Sequence, residues 1–494
     1  MRSTGTWGGS TSMIEDVKTL TKHTLTYGFG GIVNGLVRLV FIPIVSRYLA
    51  PDAFGVYSLL LMTVSFLFVI FDMGLSYALM KRYNELEGSE AQTKAIGTAF
   101  TSIGIVGIAI CVPALFLSPS LSRFLFRTGA HTTLVRIAVV IALLGSIFQL
   151  LLSLLRASAK SRSFVLFTSV RGLSNVILTF AFVISLSMGI EGFLWGTLLS
   201  FLLGIGAFFI LFTPRLVFSF EFAKSMLGFG LPLMPSNLAV WVLTYADIYL
   251  LKTLAGLREV GLYQFAQEIC AVVSLFLVSF ERAWPQFVFS RYERESARGL
   301  FRRVFTTFFA ALALIGLTLA LFRSELLSLL SAVAYFDATS VIPLLISSGI
   351  LYWTYYVFGT GLLVKGKTSF FPLITVSGAL MNILLNLALI PPYGIVGAGV
   401  ATVLTNIVMA AGVLLLSNRY YAIPFDLWRI LVIGCVGLLL YATAHIFQAS
   451  FPTSLFMKVI FVVGFGIFLY IFVFSHAASG LMENESTPKD FRKG

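Results

Sequence analysis

The stretch Tyr27–Leu79, YGFGGIVNGLVRLVFIPIVSRYLAPDAFGVYSLLLMTVSFLFVIFDMGLSYAL, decides the fold. It holds two apolar runs of membrane-crossing length joined by a short turn at Pro51, since crossing a ~30 Å hydrocarbon core takes about 20 apolar residues. Arg38 stands in the middle of the first run. An ionised arginine near the centre of a spanning helix costs about 2.5–3.5 kcal/mol on insertion scales, so it is expected to face a polar cavity and to act there.

The whole chain continues in the same manner. It is 58% hydrophobic and 11% charged over 494 residues, with a mean hydropathy of +0.95. No soluble domain hides that much apolar surface, so the chain reads as an all-α polytopic membrane protein. The formal charge of +13 does not indicate nucleic acid, because Lys and Arg fall mainly in the short connections between apolar runs. Cys111, Cys270 and Cys435 all lie in apolar runs, and form neither a disulfide framework nor a metal-ligand spacing.

About fourteen spans are expected by the 20-residue measure. The first six cover roughly 26–49, 54–80, 95–118, 133–155, 163–187 and 192–213, and the next six roughly 225–251, 260–283, 304–325, 340–364, 368–391 and 394–417. Two more, at roughly 428–449 and 455–475, precede the charged tail MENESTPKDFRKG. The domain reading follows: 1–24 a partly disordered cytoplasmic N-terminus, 25–220 an N-lobe of six spans, 221–420 a C-lobe of six, 421–478 two further spans, and 479–494 a cytoplasmic tail. Met13, where MIEDVKTLTKHTL begins, is a second candidate start. An even span number puts both termini on one side, and roughly 24 of the 34 Lys and Arg fall there, which makes that side cytoplasmic.

An internal repeat underlies the two lobes. Gly55 and Tyr57 (FGVYS) recur as Gly261 and Tyr263 (VGLYQ), 206 residues on, and Gly172 recurs as Gly378 at the same offset. GIEGFLWGTLLS from Gly189 recurs as GIVGAGVATVLT from Gly394. Six spans per copy keep the copies parallel, related by a pseudo-two-fold axis along the membrane normal with a shared cleft.

Polar residues inside the spans nominate the site. Gly31, Asn34 and Arg38 share one helical face, and Thr168, Arg171, Asn175 and Thr179 form a second such stripe. At 1.5 Å per residue Arg38 lies roughly 18 Å, and Arg171 roughly 12 Å, from the cytoplasmic mouth. That depth suits an anion captured from inside, and a guanidinium offers phosphate oxygens a planar fork of charge-assisted donors. The competing reading pairs each Arg within its lobe or lets it snorkel to an interface. In the second lobe, Asp247 shares a face with Asn237 and Thr244, and Glu268 lies among Gln264, Gln267 and Ser274. These carboxyls are candidates for a proton or sodium relay, against the plainer role of helix-to-helix hydrogen bonding. Asn382 and Asn386 read as interhelical glue. Trp353, Tyr355 and Tyr356 could stack on sugars, though interface aromatics are commoner. Gly31/Gly35 and Gly192/Gly196 have the spacing of close helix contact. Four His without metal spacing, no nucleotide-binding glycine loop and no long soluble loop argue against an enzyme and against a cofactor.

At these residues the chain resembles the polysaccharide-transport branch of the multidrug/oligosaccharidyl-lipid/polysaccharide exporter superfamily, the O-antigen-type (Wzx-like) flippases. The likeness rests on the stretch quoted above with its FDMGL, on GLPLMPSNLAVWVLTYADIYLLKTLAGLREVGLYQFAQ, on AWPQFVFSRY and on PPYGIVGAGVATVLTN. The resemblance implies alternating access by two lobes. The implied partner is a polyprenyl-pyrophosphate-linked glycan, moved from the inner to the outer leaflet of a bacterial cytoplasmic membrane, with other polysaccharide-assembly membrane proteins nearby. Arg38 and Arg171, with Asn34 and Asn175, are the positions that could receive the pyrophosphate-sugar. Asp247 matches a recurrent family position, which favours a structural role for it. The alternatives are a peptidoglycan-precursor flippase, a multidrug antiporter on the same fold, and more remotely a membrane-embedded polymerase or glycosyltransferase. Cationic drugs would call for acids in the first lobe, where Arg38 and Arg171 stand instead.

Overall fold

The computed structural model describes residues 43–44, 46–86, 88–212, 217–294, 296–447 and 453–474, with the side chains of 272, 274–276, 278–279 and 282 left aside. The described residues form helices joined by short turns and connections, with no strand among them. They form α1 (Pro51–Asp72), α2 (Leu75–Glu85), α3 (Ser89–Phe116), α4 (Ser118–Phe126), α5 (Thr132–Ala157) and α6 (Ser161–Phe180), which ends in a π-turn at Ala181–Ser185. Next come α7 (Gly189–Phe212), α8 (Phe220–Gly230), a 3₁₀ turn at Leu231–Leu233, α9 (Met234–Leu254), α10 (Leu257–Phe289), α11 (Ala297–Leu321) and α12 (Arg323–Leu330). After a 3₁₀ stretch at Val333–Ser340 follow α13 (Ile342–Phe358), α14 (Thr360–Val364), α15 (Phe370–Tyr420), α16 (Leu427–Ile446) and α17 (Thr453–Leu469).

Among the described residues, 11 helices are long and apolar enough to cross a membrane. The expected count of about fourteen is not confirmed, and the first, the eighth and the joined eleventh and twelfth spans account for the difference. Nearly all of the first expected span lies outside the described residues. The eleventh and twelfth expected spans run together as the 51-residue α15, broken inside by Gly394 at φ 54°, ψ −131°. The eighth, α10, includes the side chains at 272, 274–276, 278–279 and 282 that are left aside, and is not among the 11. The seventh is also no simple rod. Pro232 and Pro235 cannot donate to the helical ladder, and the chain divides there into α8, the 3₁₀ turn and α9.

Two compact units emerge from the packing. The first takes the described residues up to Glu268 together with Asn382–Ile395; the second takes Ile269–Met381 and the described residues from Val396 onward. In the first unit α5 is the central post, packed by α1, α2, α3 and α7, with α6 against α7 and α9 against α1. Its residues Ala138, Val139, Leu150 and Leu151 are fully buried. Small residues let helices close up: a Cβ on Gly196 would lie 2.8 Å from the backbone nitrogen of Thr179, so α6 and α7 touch through their backbones. The FDMGL segment explains itself in the same way. Met73 and Gly74 take left-handed backbone between α1 and α2, Ser76 donates its hydroxyl to the Asp72 carboxylate, and Gly74 lies against the backbone of Gly230.

One contact in this unit is reciprocal. A Cβ on Gly55 would strike the Leu257 carbonyl oxygen, and a Cβ on Gly261 would strike the Pro51 carbonyl oxygen. Pro51 and Leu257 stand 206 residues apart, as Gly55 and Gly261 do. The first turns of α1 and α10 therefore meet as matching surfaces.

In the second unit α11 packs against α13, α16 and α17. Its interior is aromatic. Trp353 is fully buried, lying 5.2 Å from Phe305 in a stacked arrangement and 5.1 Å edge-on from Phe280.

Candidate functional site

Asn34 and Arg38, the deepest part of the expected anion site, lie outside the described residues. Arg171 does not, and its surroundings are informative. It stands ten residues into α6, about 15 Å along the axis and near the middle of that helix. Its guanidinium carbon lies 4.0 Å from the ring centroid of Phe201 on α7 and 5.7 Å from that of Phe148 on α5. The Nε is buried without a hydrogen-bond partner. Among the described residues no carboxylate approaches Arg171 to within the 4.0 Å of an ion pair. A cation over an aromatic face is worth about 0.5–2 kcal/mol, less than the roughly 2.5–3.5 kcal/mol an arginine costs at the centre of a span. The rings position the guanidinium but do not offset it; a polar or anionic partner is still called for.

Polar groups from three other helices gather beside it. Tyr57 on α1 is buried, and Thr197 on α7, Arg171 and Glu268 all act electrostatically on its hydroxyl. Thr197 donates to the Phe193 carbonyl at 2.9 Å, with Asn175 Oδ1 at 3.4 Å, and Thr179 donates to the same Asn175 oxygen at 3.2 Å. Asn175 Oδ1 is thus an acceptor, and its amide nitrogen is the donor end of the side chain. Glu268 on α10 receives the Gln264 amide at 3.2 Å. The structure so brings Arg171, Asn175 and Glu268 to one neighbourhood around Tyr57. Tyr57, Thr197 and Phe201 went unassigned by sequence reasoning; Tyr57 stood out only through its repeat partner Tyr263.

Asp247 is elsewhere and differently occupied. It is 4% exposed. Its Oδ2 accepts the Tyr263 hydroxyl at 2.6 Å and its Oδ1 accepts the backbone N–H of Ile248 at 2.9 Å, so it ties α9 to α10. Thr244 faces outward and bonds its own helix at Val240. Asn382 and Asn386 bond each other along one helix at 2.9 Å; an interhelical link of the expected kind is made instead by Asn406, whose amide donates to the Ser348 carbonyl at 3.0 Å. Trp353 is enclosed by Phe side chains and cannot reach a sugar. Tyr356 donates to the Glu281 carbonyl and Tyr355 lies 3.4 Å from Thr375. Among the described residues no group of three or more His, Cys, Asp or Glu could hold a metal ion.

The fold is that of an all-helical protein whose apolar helices, 11 of them long enough to cross a membrane among the described residues, carry polar and charged side chains. Over 91% of the chain and 99% of its own length, the structure of lipid II flippase MurJ in an inward closed conformation superposes with a TM-score of 0.72 at 16% identity. An inward-facing multidrug resistance MATE family transporter of the MOP superfamily superposes with a TM-score of 0.66 at 18% identity, covering 82% of this chain and 99% of that one. A MOP superfamily transporter from Pyrococcus furiosus, described by the reversed polarity of its binding pocket, gives 0.60 at 18% identity, over 84% and 96%. In sequence, an uncharacterised membrane protein of Methanocaldococcus jannaschii is 24% identical over 200 residues; the match spans 40% of this chain and 39% of that relative's length. Residues 20–288 match the family described as polysaccharide biosynthesis protein. The chain belongs to that family.

Proposed function

We propose that the protein is a flippase that carries a polyprenyl-pyrophosphate-linked oligosaccharide, a polysaccharide repeat unit, from the inner to the outer leaflet by alternating access. The observation that carries this reading is Arg171: a guanidinium held mid-span on Phe201, with no carboxylate within ion-pair distance among the described residues and a buried Nε lacking a partner. A diphosphate meets that demand, because its oxygens accept several guanidinium N–H donors at once. Asn175 and, outside the described residues, Arg38 and Asn34 complete the proposed receptor, with sugar hydroxyls facing the amides. Glu268, within electrostatic reach of the same Tyr57, is the candidate for proton or sodium coupling; Asp247, already bonded to Tyr263, is the weaker one.

The proposed lobes are 25–220 and 221–420, followed by the spans of 421–478. The reciprocal contact of Gly55 and Gly261 supports a two-fold relation between them. Membership of the polysaccharide biosynthesis family favours a glycan cargo. The proposal has both termini in the cytoplasm of a bacterial cell, with other polysaccharide-assembly membrane proteins as the expected neighbours. A second reading, a peptidoglycan-precursor flippase, is favoured by the 91% coverage by MurJ. A cation exporter fits less well, because the described charge in the first unit's site includes an arginine without an acid of its own.

Proteoliposomes separate these readings. Export of a fluorescent lipid-linked repeat unit, of lipid II and of a cationic dye is measured side by side. The proposal expects the first at a rate at least tenfold above empty vesicles and the dye at background. Dye export with neither glycolipid moved would overturn it, and preference for lipid II would select the second reading.

A further inference from the structure

We propose a second anion-binding site, apart from Arg171, where the end of α4 meets the end of α9, built to take a phosphate-bearing head group on Arg127 and Lys252. Three independent observations converge there. First, Phe124 of α4 and Tyr249 of α9 stack with ring centroids 6.0 Å apart and planes 20° apart, which fixes the two helix ends side by side. Second, the Lys252 ammonium lies 5.9 Å over the Tyr249 ring, on which Phe124 stacks three residues before Arg127, so the two cations share one neighbourhood and the charge of Arg127 acts on Lys252. Among the described residues no carboxylate lies within 4.0 Å of either, nor of Arg123 one turn before Arg127. Two like charges set together without a counter-charge destabilise the surface that holds them, unless an anion comes between. Third, Arg127 holds left-handed backbone, φ 59° and ψ 14°, while its N–H closes the helix on the Arg123 carbonyl at 2.8 Å. A side chain with a Cβ is disfavoured in that conformation, which glycine adopts without cost. The chain keeps an arginine there, with Gly129 only two positions away.

The aromatic pair indicates what else the ligand carries. Phe124 is 62% exposed, and the Lys252 ammonium lies 5.9 Å over the Tyr249 ring. Phosphate oxygens would bridge the guanidinium and the ammonium, and a sugar ring next to the phosphate would lie on the open face of Phe124. The phosphate could come from a glycolipid head group or from an ordinary anionic phospholipid. Lys252 is two residues from the end of α9, so the site lies at a membrane boundary, where both are present.

Titration calorimetry on the purified full chain in neutral detergent tests this, with N-acetylglucosamine-1-phosphate, inorganic phosphate and phosphatidylglycerol micelles as probes. In an Arg171→Gln background, which removes the proposed transport site, Arg127→Gly and Lys252→Gln should each weaken the sugar phosphate about tenfold, as expected for one charged hydrogen bond lost. Arg127→Gly should also melt at the parental temperature or above, because glycine relieves the left-handed turn; a merely structural arginine would not combine stabilisation with lost affinity. Phe124→Ala weakening the sugar phosphate but not inorganic phosphate assigns the glycolipid head group; equal binding of both, with phosphatidylglycerol competing, assigns the phospholipid. No measurable binding, or binding unchanged by Arg127→Gly and Lys252→Gln, would overturn the proposal. Because Arg171→Gln is the variant that tests the transport site, failure of one proposal leaves the other standing.

Discussion

The meeting of Gly55 and Gly261 allows a perturbation whose size can be worked out beforehand. Each glycine's Cβ position falls on a backbone carbonyl of the other helix, Leu257 or Pro51, and within 3.3 Å of the other glycine's nitrogen. Carbon-to-carbonyl contacts across closely packed helices normally sit at about 3.3–3.6 Å, so an added methyl forces α1 and α10 apart by on the order of 1 Å. Neither side can yield by turning a rotamer, because the obstructing atoms are backbone. Overpacking a tight core costs about 1–3 kcal/mol, and Gly55→Ala should reach the upper end of that range. The control is Gly104→Ala in α3, where nothing lies within 4 Å of the new carbon. That change should stabilise by roughly 0.5–1 kcal/mol through the glycine entropy it removes. The assay is thermal unfolding in mild detergent, read by intrinsic fluorescence and by loss of monodisperse elution. Gly55→Ala and Gly261→Ala should each lower the midpoint while Gly104→Ala raises it. The double variant should cost well under the sum, because one separation of the helices relieves both clashes. A Gly55→Ala midpoint at or above that of Gly104→Ala would refute the close approach. Strict additivity would refute the reciprocity.

Other outcomes follow from single side chains. Trp353→Ala removes a fully buried ring stacked on Phe305 and should cost about 3–5 kcal/mol, measured as the same midpoint, whereas a sugar-binding Trp would lose transport without loss of stability. Asp247→Ala removes the acceptor of the buried Tyr263 hydroxyl, at about 1–3 kcal/mol, and Asp247→Asn should keep transport if the carboxyl only ties α9 to α10. His131, packed edge-on at 4.8 Å from Phe126, has its pKa lowered by burial. The folded state therefore binds that proton less readily than the unfolded chain. The contribution is complete above about pH 6.5 and is lost as pH falls through the lower folded value. His131→Gln should flatten the fall in midpoint between pH 7.5 and 5.

The fold class was legible because hydropathy acts over whole segments: runs near 20 residues need no tertiary information to be recognised. The breaks were less so. Pro232 and Pro235 interrupt an apolar run without lowering its hydropathy, and Gly394 turns the chain inside α15. Of the site, the Arg171–Asn175 stripe could be read from helical periodicity, since both lie on α6. Its surroundings could not. Phe201 and Thr197 belong to α7 and Tyr57 to α1, and which faces of three helices converge is set by packing around α5, a property no single segment encodes. Asp247 shows the same limit. A buried carboxyl reads as a relay or as a tie equally well until its partner, Tyr263, is known. Trp353 was misleading for a related reason, because an aromatic inside an apolar span can face lipid, cavity or core, and here Phe280, Phe305 and Phe308 enclose it.

The central claim is that the Arg171 guanidinium receives the diphosphate of a lipid-linked glycan. The most direct measurement is the initial rate of glycolipid export by proteoliposomes holding equal amounts of folded parent, Arg171→Lys and Arg171→Gln. Loss of a charged, multiply bonded contact in a low-dielectric site should lower the Arg171→Gln rate by tenfold or more. Arg171→Lys should fall between, since an ammonium keeps the charge but not the planar fork. Export by Arg171→Gln at the parental rate would contradict the account.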